Sequence, residues 1–178
     1  VVTTSSLLVA CSTMQEERQR GLRLAVEART LGSRGVKTGA DMGAVFMKGD
    51  EVVTWGYARS LLPESAAASD SESLAEASEM PAKKKMHIKT DVHAEQDAIA
   101  FAAKQGIPLQ DTKVYITGPP CTTCFPLLIA AGVRSIAYVG TIEKVYKAEN
   151  CTRFKSIAAA HGVDIVDDLT MPPYVNID

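Results

Sequence analysis

His93-Ala-Glu95, followed further along the chain by Pro120-Cys121-Thr-Thr-Cys124, is the part of the sequence from which the fold and the chemistry are predicted. The two motifs offer one imidazole, two thiols and one carboxyl group. A catalytic zinc ion commonly keeps three protein ligands and leaves its fourth position to water. His93, Cys121 and Cys124 supply that number, and Glu95 is close enough in sequence to move protons to and from the water. The pattern predicts one catalytic zinc ion, with Glu95 as the catalytic residue.

A structural zinc site, closed by a fourth protein ligand, is the alternative interpretation of the same residues. The other histidines are His87 and His161, and each is more typical of a surface or helix-end position than of a ligand. Cys11 and Cys151 are the remaining cysteines, and both are interpreted as small buried apolar side chains. The combined motif therefore favours the catalytic interpretation.

Both motifs are predicted to follow a strand and to open a helix. Apolar residues recur at helical spacing over about 93–104 and 121–131, and a β-branched run at 113–117 separates the two helices. The other predicted elements are helices over about 12–31 and 153–161, a hairpin of strands 43–48 and 51–57, and strands 135–139 and 163–166. A strand-helix-strand unit favours a right-handed crossover, so the last two strands should be parallel. The predicted fold class is α/β, a three-layer α/β/α sandwich with a mixed five-stranded sheet.

The predicted helix starts also bear on the state of the two cysteines. Cys121 and Cys124 are three residues apart and would face the same way from the first turn of one helix. Unpaired backbone N–H groups and the helix dipole favour negative charge there and lower thiol pKa values. We therefore expect both cysteines to bind a metal as thiolates.

The chain of 178 residues suits one domain, interrupted by an insertion at about 62–86. Serine, alanine and acidic residues dominate the insertion, and Lys83, Lys84 and Lys85 close it. A loop of this length inside a compact domain is usually a lid, a binding loop or a disordered stretch. The three lysines could contact phosphates, although a solvated charged run is the more common use of such residues.

Charge and hydropathy restrict the partners of the chain. The formal net charge of −2 lacks the basic footprint that binding to a large nucleic acid usually requires. No run approaches the roughly eighteen apolar residues that a membrane span needs. These observations disfavour nucleic acid and membrane partners, and they lead us to expect a cytoplasmic or nuclear protein.

The order His-x-Glu, then Pro-Cys-x-x-Cys, is the signature of zinc-dependent nucleobase deaminases, and on it the chain resembles the cytidine and deoxycytidylate deaminase superfamily. Free-cytidine deaminases usually present Cys-Ala-Glu, whereas His-Ala-Glu is similar to the deoxycytidylate, tRNA-adenosine, guanine and polynucleotide-cytidine branches. The runs at 93–99, 121–133 and 136–139 look most like the deoxycytidylate deaminase type. Gly43-Ala-Val and Gly56-Tyr57 look like it as well.

The resemblance implies hydrolytic deamination of a small-molecule cytosine nucleotide, with dCMP to dUMP as the most similar reaction. It also implies a homo-oligomer, and substrate contacts at Tyr57, Ala94 and Pro120. Arg59, or the lysines of the insertion, could contact a nucleotide phosphate, and an exposed arginine with no role in substrate binding is the alternative interpretation of Arg59. One departure concerns recognition, because the family usually continues Gly-Tyr with an asparagine, whereas this chain has Ala58 and then Arg59.

The resemblance leaves two other functions open. One is a tRNA adenosine deaminase subunit, which the acidic balance of the chain disfavours. The other is a non-catalytic zinc-binding subunit of a deaminase complex, although such subunits tend to lose the carboxylate that Glu95 supplies here. Some deoxycytidylate deaminases hold a second, structural metal near this insertion. The insertion contains no cysteine, so a single zinc ion is expected.

Overall fold

The computed structural model describes residues 4–32, 41–61 and 91–172, except for the side chains of 4–12, 144 and 168. The predicted insertion at 62–86, together with His87, lies outside the described residues, as does the side chain of Cys11. Within the described ranges, no helix combines the length and the apolar character needed to cross a membrane.

The sheet is mixed and five-stranded, as predicted, with the strand order β2-β1-β5-β6-β7. Strand β1 pairs antiparallel with β2 and β5, whereas β5, β6 and β7 run parallel to one another. The strands are β1 Gly43–Lys48, β2 Glu51–Tyr57, β3 Arg59–Ser60, β4 Asp91–Val92, β5 Lys113–Ile116, β6 Ser135–Val139 and β7 Asp164–Leu169. The helices are α1 Thr4–Gly32, α2 Ala94–Gln105, α3 Cys124–Ala130 and α4 Ala148–Ala160, with a 3-10 turn at Ile142–Lys144.

The helices form the two outer layers of the predicted three-layer sandwich. One face of the sheet packs on α1 through a cluster that comprises Leu22, Ala25, Ala28, Val45, Met47, Tyr115 and Ala137. The other face packs on α2, α3 and α4 through a larger cluster that includes Ala44, Phe46, Ala98, Ile116, Leu128, Tyr138 and Phe154. Successive residues of β1 alternate between the two clusters, because neighbouring side chains of a strand point to opposite faces. The predicted α/β/α fold class is confirmed.

Several predicted boundaries were wrong, each for a local reason. Helix α1 begins at Thr4 and not near Ser12, since no glycine or proline interrupts residues 4–12. Helix α4 begins at Ala148 and not at 153, and Cys151 is buried on the same face as Phe154. Strand β7 continues to Leu169, beyond the predicted end at 166. It is an edge strand of the sheet, and polar residues there do not interrupt the pairing.

Two short strands were not predicted. Strand β3 pairs antiparallel with β4, so that Arg59 lies opposite Val92. The pairing brings the end of the hairpin beside the residue that precedes His93, although 29 residues outside the described ranges separate the two strands in sequence. Tertiary contact, and not local periodicity, forms this small sheet.

The first turns of α2 lie directly on β2. A Cβ atom on Gly56 would overlap the carbonyl oxygen of Ala94 and the backbone nitrogen of Ala98, so only glycine allows this approach. The Thr54 hydroxyl donates a hydrogen bond to the carbonyl of Ala98 at 3.3 Å. Helix α2 is therefore fixed against the sheet at its N-terminal end.

Replacing Gly56 with alanine should move α2 or strain β2, because the added methyl group would meet helix backbone. Overpacking of this kind costs about 1–3 kcal/mol, and we expect the free energy of unfolding to fall by that amount in urea denaturation. Gly118→Ala is the matched control, since its methyl group would meet only the flexible end of the Met42 side chain. Equal losses of stability in the two variants would contradict the proposed contact.

Candidate metal centre

His93 lies at the N-terminal cap of α2, with an extended backbone (φ −74°, ψ 157°). Its N–H group donates a hydrogen bond to the side-chain oxygen of Gln96 at 3.0 Å, and its carbonyl accepts the N–H of Asp97 at 2.9 Å. These bonds fix the backbone of His93 on both sides of its Cα atom. The imidazole therefore projects from a rigid position at the start of the helix.

The two cysteines lie around the start of α3, but the prediction that both belong to the helix was wrong. Helix α3 begins at Cys124, and Cys121 precedes it by a turn at Thr122 and Thr123. The N–H of Cys124 donates to the Cys121 sulfur at 3.3 Å, and the N–H of Phe125 donates to the Cys121 carbonyl at 3.0 Å. The turn thus directs both thiols to the same side, as expected from their spacing.

The imidazole and the two thiols meet at one point. His93 Nδ1 lies 3.4 Å from Cys121 Sγ and 3.5 Å from Cys124 Sγ. All three potential ligand atoms lie within 4.8 Å of one another. Tetrahedral zinc with ordinary Zn–N and Zn–S bond lengths would place nitrogen and sulfur ligands about 3.6 Å apart. The donor set and its spacing therefore fit a single zinc ion. Within the part of the chain that the structure describes, the group of potential metal ligands consists of these three side chains.

Glu95 is buried beside the group, with 2% of its surface exposed. Burial raises the pKa of its carboxyl group, and its own backbone N–H, the charge of His93 and a hydrogen bond with Cys124 partly offset that rise. A raised pKa makes a carboxylate a stronger base than it is in water, so it accepts a proton more readily. This is the property required of a proton-transferring residue.

The pKa of Cys124 contradicts the expectation drawn from the helix dipole. Burial raises the pKa of this thiol well above its usual range, and the charges of Glu95 and Cys121 raise it further. A cation held between the sulfurs would reverse this preference, because thiols bind metals in their deprotonated form.

Tyr146 also lies beside the group, although no sequence motif includes it. Its hydroxyl donates a hydrogen bond to the carbonyl of Pro120 at 2.8 Å. Burial raises the pKa of Tyr146 to about 12, and the charges of Cys121, Glu95 and Cys124 contribute to the rise. No motif or spacing signals this residue, because it reaches the group from the loop between β6 and α4.

Two of the four candidate substrate contacts lie at the metal-ligand candidates. Ala94 and Pro120 are buried and flank the metal-ligand candidates in sequence, so the structure places both at the group. Arg59 forms an ion pair with Asp97, with 2.7 Å between Nε and Oδ1, on the flank of α2 opposite Glu95.

Tyr57 lies on the other face of the sheet. A Cβ atom on Gly32 of α1 would overlap its ring, and Trp55 of the same strand stacks on it. The structure therefore does not bring the Tyr57 side chain to the metal-ligand candidates.

Known proteins share this sequence pattern and fold. A deoxycytidylate deaminase of Enterobacteria phage T2 is 34% identical over 56 residues, which are 32% of this chain and 30% of the phage protein. The phage T4 deoxycytidylate deaminase matches with the same identity over 29% of its length. The match thus spans less than a third of either relative.

The solved dCMP deaminase from the cyanophage S-TIM5 has the same fold, with a TM-score of 0.55 and 17% identity over 85% of this chain and 97% of that one. A diaminohydroxyphosphoribosylaminopyrimidine deaminase/5-amino-6-(5-phosphoribosylamino)uracil reductase from Thermotoga maritima is similar at a TM-score of 0.55 and 18% identity, over 86% of this chain and 36% of that one.

The model of the MafB19-like deaminase family matches residues 21–169, which contain α2, α3 and the whole five-stranded sheet. The sequence motifs, the fold and this match agree, and the chain belongs to the MafB19-like deaminases, within the cytidine and deoxycytidylate deaminase superfamily.

Proposed function

We propose that the chain is a zinc-dependent deaminase of a cytosine nucleotide, converting dCMP and water to dUMP and ammonia. The observation that carries this proposal is the convergence of His93 Nδ1 and the two sulfurs beside the buried carboxyl group of Glu95. Three ligand candidates next to a protected acid are the combination that hydrolytic deamination requires.

His93, Cys121 and Cys124 would hold the zinc ion. When bound, zinc would lower the pKa of a water molecule towards about 7 and make it a nucleophile at neutral pH. Glu95 would take one proton from this water and deliver it to the ring nitrogen, and it would then carry the second proton, from the oxygen that has bonded to the ring carbon, to the amine, which leaves as ammonia. The burial that raises its pKa suits both steps, because the carboxyl group must hold a proton between them.

The comparisons support a nucleotide as substrate without deciding which one. The phage relatives are named as deoxycytidylate deaminases, and the S-TIM5 enzyme has also been solved in complex with dCMP and dUMP. The Thermotoga maritima protein is named for a different pyrimidine substrate. The choice of dCMP for this chain rests on the shared motifs around Glu95 and Cys124.

Arg59 is the candidate contact for the phosphate of the nucleotide. Its side chain is 43% exposed, and the ion pair with Asp97 engages the Nε group. A guanidinium has five N–H donors in a planar fork, so an Arg held by one carboxylate can still bind a phosphate. The ion pair would hold the guanidinium on the flank of α2 opposite Glu95. A nucleotide whose base lies at Glu95 would therefore have to extend across the start of α2 for its phosphate to reach Arg59.

We expect ammonia release to be fastest with dCMP among dCMP, dCTP, cytidine, guanine and a tRNA anticodon stem-loop. Charge-assisted hydrogen bonds contribute about 1.5–3 kcal/mol, so a nucleoside that lacks the phosphate should lose roughly 10- to 100-fold in kcat/KM. An enzyme-coupled ammonia assay measures this directly. Turnover of the stem-loop with no turnover of any mononucleotide would refute the proposed substrate class.

Replacing Glu95 with glutamine should lower kcat by about 10²- to 10⁴-fold, because the amide cannot carry the proton. Zinc content, measured by atomic absorption, should stay at one ion per chain, since none of the three ligand candidates is changed. Glu149→Gln, which alters an exposed acid in the first turn of α4, should leave activity unchanged. An active Glu95→Gln variant would rule out Glu95 as the proton carrier.

Replacing Arg59 with glutamine should raise KM for dCMP about tenfold or more and leave kcat/KM for deoxycytidine unchanged, because only the nucleotide carries the phosphate. Arg29→Gln is the matched control, since Arg29 also forms an ion pair with an aspartate, Asp41, and its side chain is likewise partly exposed. Asp97→Asn keeps the guanidinium but removes its carboxylate partner. Equal losses of kcat/KM with dCMP and deoxycytidine in Arg59→Gln would assign Arg59 a structural role alone.

A further inference from the structure

We propose that Tyr146 is a positioning residue of the metal centre, which sets the place of Cys121 through its hydrogen bond to Pro120. The inference rests on the proposed function, since it concerns the same three ligand candidates. It adds a residue that no motif marks and whose hydroxyl donates its hydrogen bond to Pro120 and not to one of the three ligand candidates.

Cys121 needs such an anchor because of the chain that leads to it. It precedes α3, so the helix ladder does not hold it from the N-terminal side. The residues before it are Pro119 and Pro120, which have no backbone N–H group to donate. The backbone of these two residues can therefore form hydrogen bonds through its carbonyl groups alone. The Pro120 carbonyl accepts a hydrogen bond from the Tyr146 hydroxyl at 2.8 Å.

Tyr146 is itself held at both backbone polar groups. Its N–H donates to the carbonyl of Ile142, the first residue of the 3-10 turn after β6, at 2.8 Å. Its carbonyl accepts the Cys151 thiol of α4 at 3.7 Å. Ile142 is fully buried and Cys151 nearly so. The phenol therefore extends from a fixed point of the core to the segment that carries the first cysteine.

The Tyr146 hydroxyl acts on Cys121 through a single peptide group. The Pro120 carbonyl belongs to the peptide bond that joins Pro120 to Cys121, so a shift of that carbonyl moves the Cys121 sulfur relative to His93. The three ligand atoms must stay at zinc-binding distances, and partners outside the ligand set typically change metal affinity by about 10- to 100-fold when they are lost. Tyr146 thus helps to hold the Cys121 sulfur at a zinc-binding distance from the other two ligand atoms.

The test compares Tyr146→Phe with Tyr138→Phe in the full chain. Each variant removes one hydroxyl and keeps the ring. Tyr138 is fully buried, and among the described residues its hydroxyl has no hydrogen-bond partner, so the control removes a hydroxyl that holds nothing in place. Zinc affinity is measured by competition with a chromophoric chelator, and the ligand geometry is read from the visible absorption of the Co²⁺-substituted protein.

We expect Tyr146→Phe to bind zinc about 10- to 100-fold more weakly and to shift the Co²⁺ absorption bands, with both readouts unchanged in Tyr138→Phe. Wild-type zinc affinity and an unchanged Co²⁺ spectrum in Tyr146→Phe would overturn the inference, whatever the variant does to thermal stability. A wild-type chain that binds no zinc would overturn the proposed function and this inference together. Zinc binding without turnover of dCMP would overturn the proposed reaction alone.

Discussion

The approach of α2 to β2 is the contact on which the candidate metal centre depends. Ala94 and Ala98 are fully buried, and Gly56 leaves room for the helix backbone itself to touch the strand. The N-terminal end of α2 carries His93 as its cap and Glu95 in its first turn, so its distance from the sheet determines whether the imidazole reaches the two sulfurs. Small residues at this contact thus serve the geometry of the site as well as the packing of the core.

Burial then decides the chemistry of the residues that meet there. Glu95 and Cys124 both have pKa values that burial raises, and the charge of Glu95 raises the pKa of Cys124 further, because two negative charges would share a region that excludes water. In the other direction, the hydrogen bond with Cys124 lowers the pKa of Glu95 and offsets part of its rise. Buried charges are stable only when they are paired. A divalent cation at the thiols would resolve the conflict, and Glu95 would then be the remaining group able to exchange protons.

The parts of this arrangement that follow from local sequence were predictable. His93 and Glu95 are two residues apart, Cys121 and Cys124 are three apart, and such short spacings determine which way side chains face. The strands around them contain β-branched and apolar runs, from which the five-stranded sheet could be inferred. The exact start of α3 could not, because a turn and a helix direct cysteines three residues apart in nearly the same way.

Other features depend on contacts between distant parts of the chain. The Tyr146 hydroxyl reaches Pro120 from another loop, and Arg59 meets Asp97 through the pairing of two-residue strands. Neither contact has a periodicity that a sequence reveals. The early start of α4 was missed for a related reason, since Cys151 was interpreted as a buried residue without being assigned to the same helix face as Phe154.

Recognition of the substrate follows a different logic from that of the metal centre. Ala58 stands where the family resemblance implies an asparagine, and it is buried. Its N–H donates to the carbonyl of Met42 at 2.9 Å, which fixes the backbone at this position, but its side chain carries no polar group. A methyl group can exclude a substrate by size. An amide can also reject a substrate that lacks the group with which the amide would form a hydrogen bond, and this second form of discrimination is the stronger one. Under the proposed function, the loss of that amide increases the relative importance of charge, and the guanidinium of Arg59 is the cation next in sequence. Under the same proposal, such a site would discriminate nucleotides from nucleosides more strongly than it would discriminate one sugar from another.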